Sequence, residues 1–107
     1  MKIPKKVDYA VKIFQIVDEH PKTTTELASQ LKTSVFFLQQ IVARLHRAGL
    51  VLVVRGPGGG VKNYVLVTNL YSIARALGYT DKSLSGLDGG YLDLLKQYKV
   101  QSNLFTV

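Results

Sequence analysis

The sequence contains no cysteine. That excludes disulfides, a cysteine nucleophile and any thiolate-held zinc or iron–sulfur centre. Histidine is almost as scarce: only His20 and His46 are present, and neither has a companion at ligand or triad spacing. No paired-carboxylate, nucleophile–histidine or metal constellation can be assembled, so the chain reads as a non-enzyme with no cofactor. No apolar run approaches the ~20 residues that span a bilayer, so no membrane association is expected. The opening MKIPKKVDYAVKIF is basic, but it lacks the long apolar stretch and small-residue cleavage site of a signal peptide. The expected location is cytoplasmic. Acidic residues are also few, 7 against 14 Lys and Arg, for a net charge of +7.

What is present fits one domain: 107 residues, of which 47% are apolar. A core of this size is small, and pairing of two copies would help it. The charge is uneven. Residues 1–62 hold 10 basic and 4 acidic residues (+6), and residues 63–107 hold 4 and 3 (+1). An excess of Lys and Arg on one half points to a polyanion, because these side chains displace counterions from phosphates. A merely solvated basic surface is the plain alternative.

Ile3, Val7, Ala10, Val11, Phe14 and Val17 recur at helical spacing, predicting a first helix that Pro21 stops near His20. Asp8, Lys12, Gln15, Asp18 and Glu19 are placed on its outer side. Lys2, Lys5 and Lys6 sit where the helix dipole disfavours cations, which suits a phosphate backbone or simply solvated lysines. Thr23-Thr24-Thr25-Glu26 is a capping-box pattern for a short helix to Leu31. Lys32-Thr33 is then a tight turn in which Lys32 needs a strained or non-standard geometry, and Ser34 caps the next helix. Two short helices joined so tightly form a helix-turn-helix.

The third helix, about Val35 to Ala48, buries a stripe of Val35, Leu38, Ile41, Val42 and Leu45. Its other side carries Phe36, Phe37, Gln39, Gln40, Arg44 and Arg47. Gln40, Arg44 and Arg47, three or four apart, can meet one surface: Gln suits adenine, and Arg suits guanine or phosphate. A solvated polar face is the alternative. One of the two phenylalanines is expected to complete the core against the first helix, leaving the other for a base or sugar. Gly49 is placed as a left-handed cap.

Leu50–Val54 and Tyr64–Val67 are β-branched or aromatic runs, expected to pair as a two-stranded wing around Arg55-Gly56-Pro57-Gly58-Gly59-Gly60. The glycine spacing does not match a nucleotide loop, and no Gly-Lys-Ser/Thr follows. A wing tip with Arg55 in a narrow minor groove and Lys62 on a phosphate is the better fit. Asn69 to Gly78 predicts another helix, with Leu70, Ile73, Ala74 and Leu77 inward. Residues 79–90 read as a linker, and 91–100 as a last helix. That helix is too apolar to stand alone, so it packs on its own domain or on a second chain. Residues 101–107 are a docked extension or a frayed tail. There is no internal repeat.

The opening segment, the TTELA box, the helix FLQQIVARLHRAGLV and above all VRGPGGG resemble the iron–sulfur cluster regulator (IscR-like) family of winged helix-turn-helix transcription factors, over about residues 1–78. The resemblance implies an α+β, mainly α fold, with a two-stranded wing and short C-terminal helices. It implies a homodimer on palindromic double-stranded DNA that acts as a transcriptional regulator, read here as a repressor. It places Ser34, Phe36, Phe37, Gln39, Gln40 and Arg44 at the major groove, and Arg55 with Gly56, Gly58 and Gly59 at the minor groove. Arg47, Lys5, Lys6 and Lys62 complete the expected DNA-binding set.

The departures from the family are specific. Its sensors carry three cysteines that this chain lacks, so the cluster does not carry over. Phe37 and Gln39 stand where many members have Tyr and Glu, which alters the expected base preference. Val61 replaces a usual aromatic at the wing base. The last helix is short for the family. Residues 1–78 are therefore expected to form the DNA-binding domain, and 79–107 a dimerisation element. The competing reading is a winged-helix protein-interaction module that uses Phe36 and Phe37 as anchors. Any small-molecule effector is unknown from the sequence.

Overall fold

A computed structural model describes residues 3–85 and 90–103. Helices α1 (Lys5–Ile16), α2 (Thr24–Leu31) and α3 (Val35–Arg47) lead into a hairpin of β1 (Val51–Val54) and β2 (Gly60–Asn63). Strand β3 (Val67–Asn69), helices α4 (Leu70–Ala76), α5 (Asp81–Ser85) and α6 (Gly90–Gln97), and strand β4 (Lys99–Gln101) follow. This is the expected α+β winged helix-turn-helix, extended by a second small antiparallel sheet of β3 and β4.

The caps set the helix ends. The Thr23 hydroxyl accepts from the Glu26 amide at 3.1 Å, and that of Ser34 from the Phe37 amide at 3.1 Å. The Asn69 side chain accepts from the Ser72 amide at 2.7 Å. Glu26 reaches back to the Thr23 hydroxyl (3.3 Å), not to its main chain. Helix α3 closes in a Schellman motif, with Leu50 N–H on the Leu45 carbonyl and Gly49 N–H on that of His46. The same motif closes α2, with Thr33 N–H on Ala28 and Lys32 N–H on Ser29. There Lys32 occupies the left-handed position, at φ 56° and ψ 49°. The strain expected of that turn is real.

The stripes set the tertiary arrangement. Phe14, Ile13 and Val17 of the first segment, Leu27 of α2, and Leu38, Ile41 and Leu45 of α3 are fully buried. Val51 and Val61 of the wing base, Leu70 and Ile73 of α4, Leu95 of α6 and Val100 of β4 join the same core. Burying one such side chain contributes about 1.5–3 kcal/mol, against roughly 1 kcal/mol for a cap. Core burial therefore decides which faces meet, and the caps trim the ends.

Five expectations need correction. Helix α1 ends at Ile16, four residues before His20, because Val17 is already extended. Its carbonyl is taken by the Ser102 hydroxyl at 2.8 Å and the Asn103 amide at 3.2 Å. Asp18 does not face solvent; it is 4% exposed. The second wing strand is Gly60–Asn63, not Tyr64–Val67, because a tight turn closes early, with Gly59 N–H on the Gly56 carbonyl at 2.9 Å. Pro57 and Gly58 are its central residues, and Gly58 at φ 75° fits the third position of a type II turn.

Val67 instead opens β3, which pairs with β4 (Thr68 opposite Val100). That pairing ends the last helix at Gln97 and docks the chain beyond it. Part of the expected linker is helical, α5, tied to α4 where the Tyr71 hydroxyl donates to Asp81 at 2.6 Å. That bond, more than desolvation, raises the Tyr71 phenol above its usual pKa. The rest of the linker, 86–89, and the tail at 104–107 lie outside the described residues, as does Lys2.

Candidate nucleic-acid interface

A main-chain bridge fastens the wing to the segment before α2. Lys22 and Val61 form an isolated antiparallel bridge, with amide-to-carbonyl distances of 2.9 and 2.7 Å. Gly60, at φ 147°, lies so close to Lys22 that a Cβ there would meet the Lys22 carbonyl carbon and oxygen at 2.5 Å. Asp18 supports the joint from below. Its carboxylate accepts from the His20 amide at 2.8 Å and the Lys22 ammonium at 3.0 Å, and its carbonyl accepts from Asn63 N–H at 2.9 Å. Burial alone raises the Asp18 carboxyl. The His20 amide, then Lys22 as hydrogen-bond donor and as charge, outweigh that and hold it below the usual carboxylate range. Val61, where an aromatic was noted as usual, is buried at this joint.

Beyond the joint, Arg55, Gly56, Pro57 and Gly58 form an exposed tip, while Gly59 and Lys62 are half-buried. On α3, Ser34, Gln39, Gln40, Arg44 and Arg47 are exposed. The two phenylalanines divide. Phe36 is 71% exposed. Phe37 is half-buried, with its ring edge-on to Tyr9 of α1 at 5.3 Å between centroids. The Lys5 ammonium lies 5.9 Å from the Phe37 ring and 6.0 Å from the Tyr9 ring, within cation–π reach of both.

Lys6 of α1 and Gln40, Arg44 and Arg47 of α3 converge on one groove of about 310 Å³. Ile41, Ala43 and Leu77 at the end of α4 complete its lining. A Cβ on Gly78, the residue after Leu77, would lie 3.3 Å from the Arg44 guanidinium. Gly78 itself stands at φ 96°, a left-handed backbone that favours glycine. Among the described residues none of Lys6, Arg44 and Arg47 has an acidic partner, in contrast to Lys12 with Asp8 (3.2 Å) and Lys22 with Asp18. Three uncompensated cations facing one groove attract anions.

Sequence reasoning missed Tyr9, Leu77 and the Asp18–Lys22 pair. Tyr9 stands four residues after Lys5, a helical neighbour spacing that a closer reading of α1 could have used. Nothing local marks Leu77 or Asp18.

His46 Nδ1 lies 3.3 Å from the Val51 carbonyl, as a helix-end residue does. His20 lies exposed beside Glu19. Among the described residues no three His, Cys, Asp or Glu side chains gather as metal ligands, and no helix is long and apolar enough to cross a membrane.

The Rrf2 family model, described as an iron-dependent transcriptional regulator, matches residues 3–78. The HTH-type transcriptional regulator IscR of Vibrio campbellii is 37% identical over 78 residues, covering 69% of this chain and 45% of its own length. That of Pectobacterium atrosepticum is 36% identical over 78 residues, covering 69% and 46%. The chain thus spans less than half the length of these curated relatives. Among solved structures, CymR of Staphylococcus aureus in its oxidized form superposes with a TM-score of 0.72 at 24% identity, covering 92% of each chain. CymR, the global cysteine regulator of B. subtilis, gives 0.67 at 26% identity over 82% of this chain and 70% of its own. The donor set here does not fit the iron dependence in the family's description: the chain has no thiol, and among the described residues neither histidine belongs to a group of three ligand side chains.

Proposed function

We propose a role on DNA from a fixed premise: the chain belongs to the Rrf2 family of transcriptional regulators. It binds double-stranded DNA sequence-specifically as a homodimer on a two-fold symmetric site, with no cluster held by its own residues. Ser34, Phe36, Gln39, Gln40 and Arg44 meet the major groove. Arg55, with Gly56, Gly58 and Gly59 admitting the main chain, enters the minor groove. Lys5, Lys6, Arg47 and Lys62 neutralise phosphates. Phe37 acts through Tyr9 to hold Lys5 in place. Residues 79–107 supply the dimer contact: α6 turns Leu95 inward and leaves Leu94 57% exposed, and Tyr98 just after it is 54% exposed. The two recognition helices are then about one turn of duplex (~34 Å) apart. The proposed role in the cytoplasm is repression, by occupying a site that overlaps a promoter.

The observation that carries this reading is the convergence of Lys6, Gln40, Arg44 and Arg47, from two helices, on one groove with no acidic residue in its lining among the described residues. Selection of binding sites from random duplexes tests it. An enriched motif with two-fold symmetry is expected. Absence of any enriched motif rejects it in favour of a protein-interaction module anchored by the exposed Phe36.

A further inference from the structure

The groove between α1, α3 and the end of α4 has more than a phosphate-binding rim. Its apolar lining is buried Ile41 and half-buried Leu77 with exposed Ala43 at the edge, and its rim carries Lys6, Arg44, Arg47 and Gln40. A site that only straddled a DNA backbone would have no use for an apolar lining. The volume, about 310 Å³, stands at the small end of the range for small-molecule pockets, roughly 300–1,000 Å³. Two guanidiniums offer forked donors and Lys6 a point charge, a set suited to a doubly charged oxyanion.

We infer that this groove is a binding site for a small organic phosphomonoester, with its phosphate on Lys6, Arg44 and Arg47 and its apolar body against Ile41 and Leu77. The regulatory consequence rests on the DNA-binding reading. Gln40, Arg44 and Arg47 cannot serve the ligand and a duplex together, so the phosphomonoester releases DNA by direct competition.

Phenyl phosphate is the probe, titrated calorimetrically into the free protein without DNA, with inorganic phosphate and benzyl alcohol as parallel arms. Saturable one-site binding of phenyl phosphate is expected, about tenfold tighter than inorganic phosphate because of the apolar contact, and no binding of benzyl alcohol. Leu77→Gln brings phenyl phosphate down to the level of inorganic phosphate. Arg44→Gln, an exposed position that does not threaten folding, weakens both anions about tenfold, the loss of a charge-assisted hydrogen bond. The inference is overturned if phenyl phosphate does not saturate, if it binds no better than inorganic phosphate, or if Arg44→Gln leaves both unchanged. A separate competition against the selected duplex reads the regulatory step. A protein that selects DNA but gives no saturable titration loses this inference alone. One that titrates but selects no DNA keeps the site and loses the DNA reading.

Discussion

Lys22 and Val61 exchange both of their main-chain hydrogen bonds, 39 residues apart in sequence, and by doing so hang the wing from the start of the helix-turn-helix. Everything that Arg55 does depends on this joint, because the hairpin beyond it is four residues a side. An isolated two-stranded hairpin is marginal in water.

Gly60→Ala tests the joint. The added Cβ meets main-chain atoms at 2.5 Å, which cannot swing away as a side chain would. A loss of about 2–3 kcal/mol in denaturant unfolding is expected from strain and overpacking together. Gly58→Ala, with nothing within 4 Å, is expected to cost only about 1 kcal/mol, for the left-handed backbone alone. Equal losses at the two positions would show that the wing does not lean on Lys22.

Lys32→Gly is expected to raise stability by about 1 kcal/mol, since a left-handed non-glycine residue costs roughly 1–2 kcal/mol and glycine returns part of that gain as unfolded-state entropy. Lys32 is the one non-glycine residue with positive φ among those described. Thermal unfolding reads the difference. A lower melting temperature for the variant would count against the strain at this turn.

Asp18 gives a pH dependence. Its carboxyl titrates lower in the folded chain than in the unfolded one. Its contribution is therefore complete above the unfolded value of about 3.9, and is lost as pH falls from there through the folded value. Asp18→Asn should destabilise at neutral pH, and the gap between variant and parent should close in this acid window. Melting curves from neutral pH to below 3.9 check it; a gap that persists unchanged at the acid end would refute the linkage.

The two phenylalanines separate recognition from folding. Phe37→Ala should lower stability by about 1–3 kcal/mol, through lost burial and the lost edge-on contact with Tyr9. Phe36→Ala should leave stability within about 0.5 kcal/mol, as surface changes do, and weaken binding to the selected duplex. Unfolding curves and binding isotherms on both variants decide. A stability loss at Phe36 would move it off the recognition face.

Arg55→Ala is expected to weaken duplex binding, relax preference at A·T-rich minor-groove positions, and leave folding intact because the side chain is exposed. Lys62→Ala should instead weaken all duplexes alike and lower the salt dependence by about one phosphate contact. Isotherms over a salt series distinguish the two. An Arg55→Ala protein that bound as its parent does in the same salt would remove the wing from the interface.

The helices were legible because their signals are local. Four-residue stripes, Thr23, Ser34 and Asn69 as caps, and Gly49 as a stop all act within one turn of the chain. The departures come from contacts that no window contains. Pro21 marked where α1 could run to, yet Ser102 and Asn103, from the far end of the sequence, claim the Val17 carbonyl and end it sooner. Val61 and Lys62 sit among glycines and read as turn, although pairing with Val53 and Leu52 makes them strand. Tyr64 to Val67 has the composition of a strand, but only Val67 is one, and its partner, β4, overlaps the end of the segment whose periodicity predicts a helix. On the candidate interface, the polar side of α3 was readable from spacing alone. Which phenylalanine turned inward was not, because Tyr9 decides it from another helix.

Val17 and Asp18 are neighbours, and their carbonyls receive opposite ends of the molecule: Val17 takes Ser102 and Asn103, and Asp18 takes Asn63 of the wing. Two adjacent peptide planes, joined at the Asp18 α-carbon, therefore link residues 102–103 to the hairpin. A change in the Asp18 backbone angles would turn one acceptor against the other, so residues 102–103 and the wing share a single pivot.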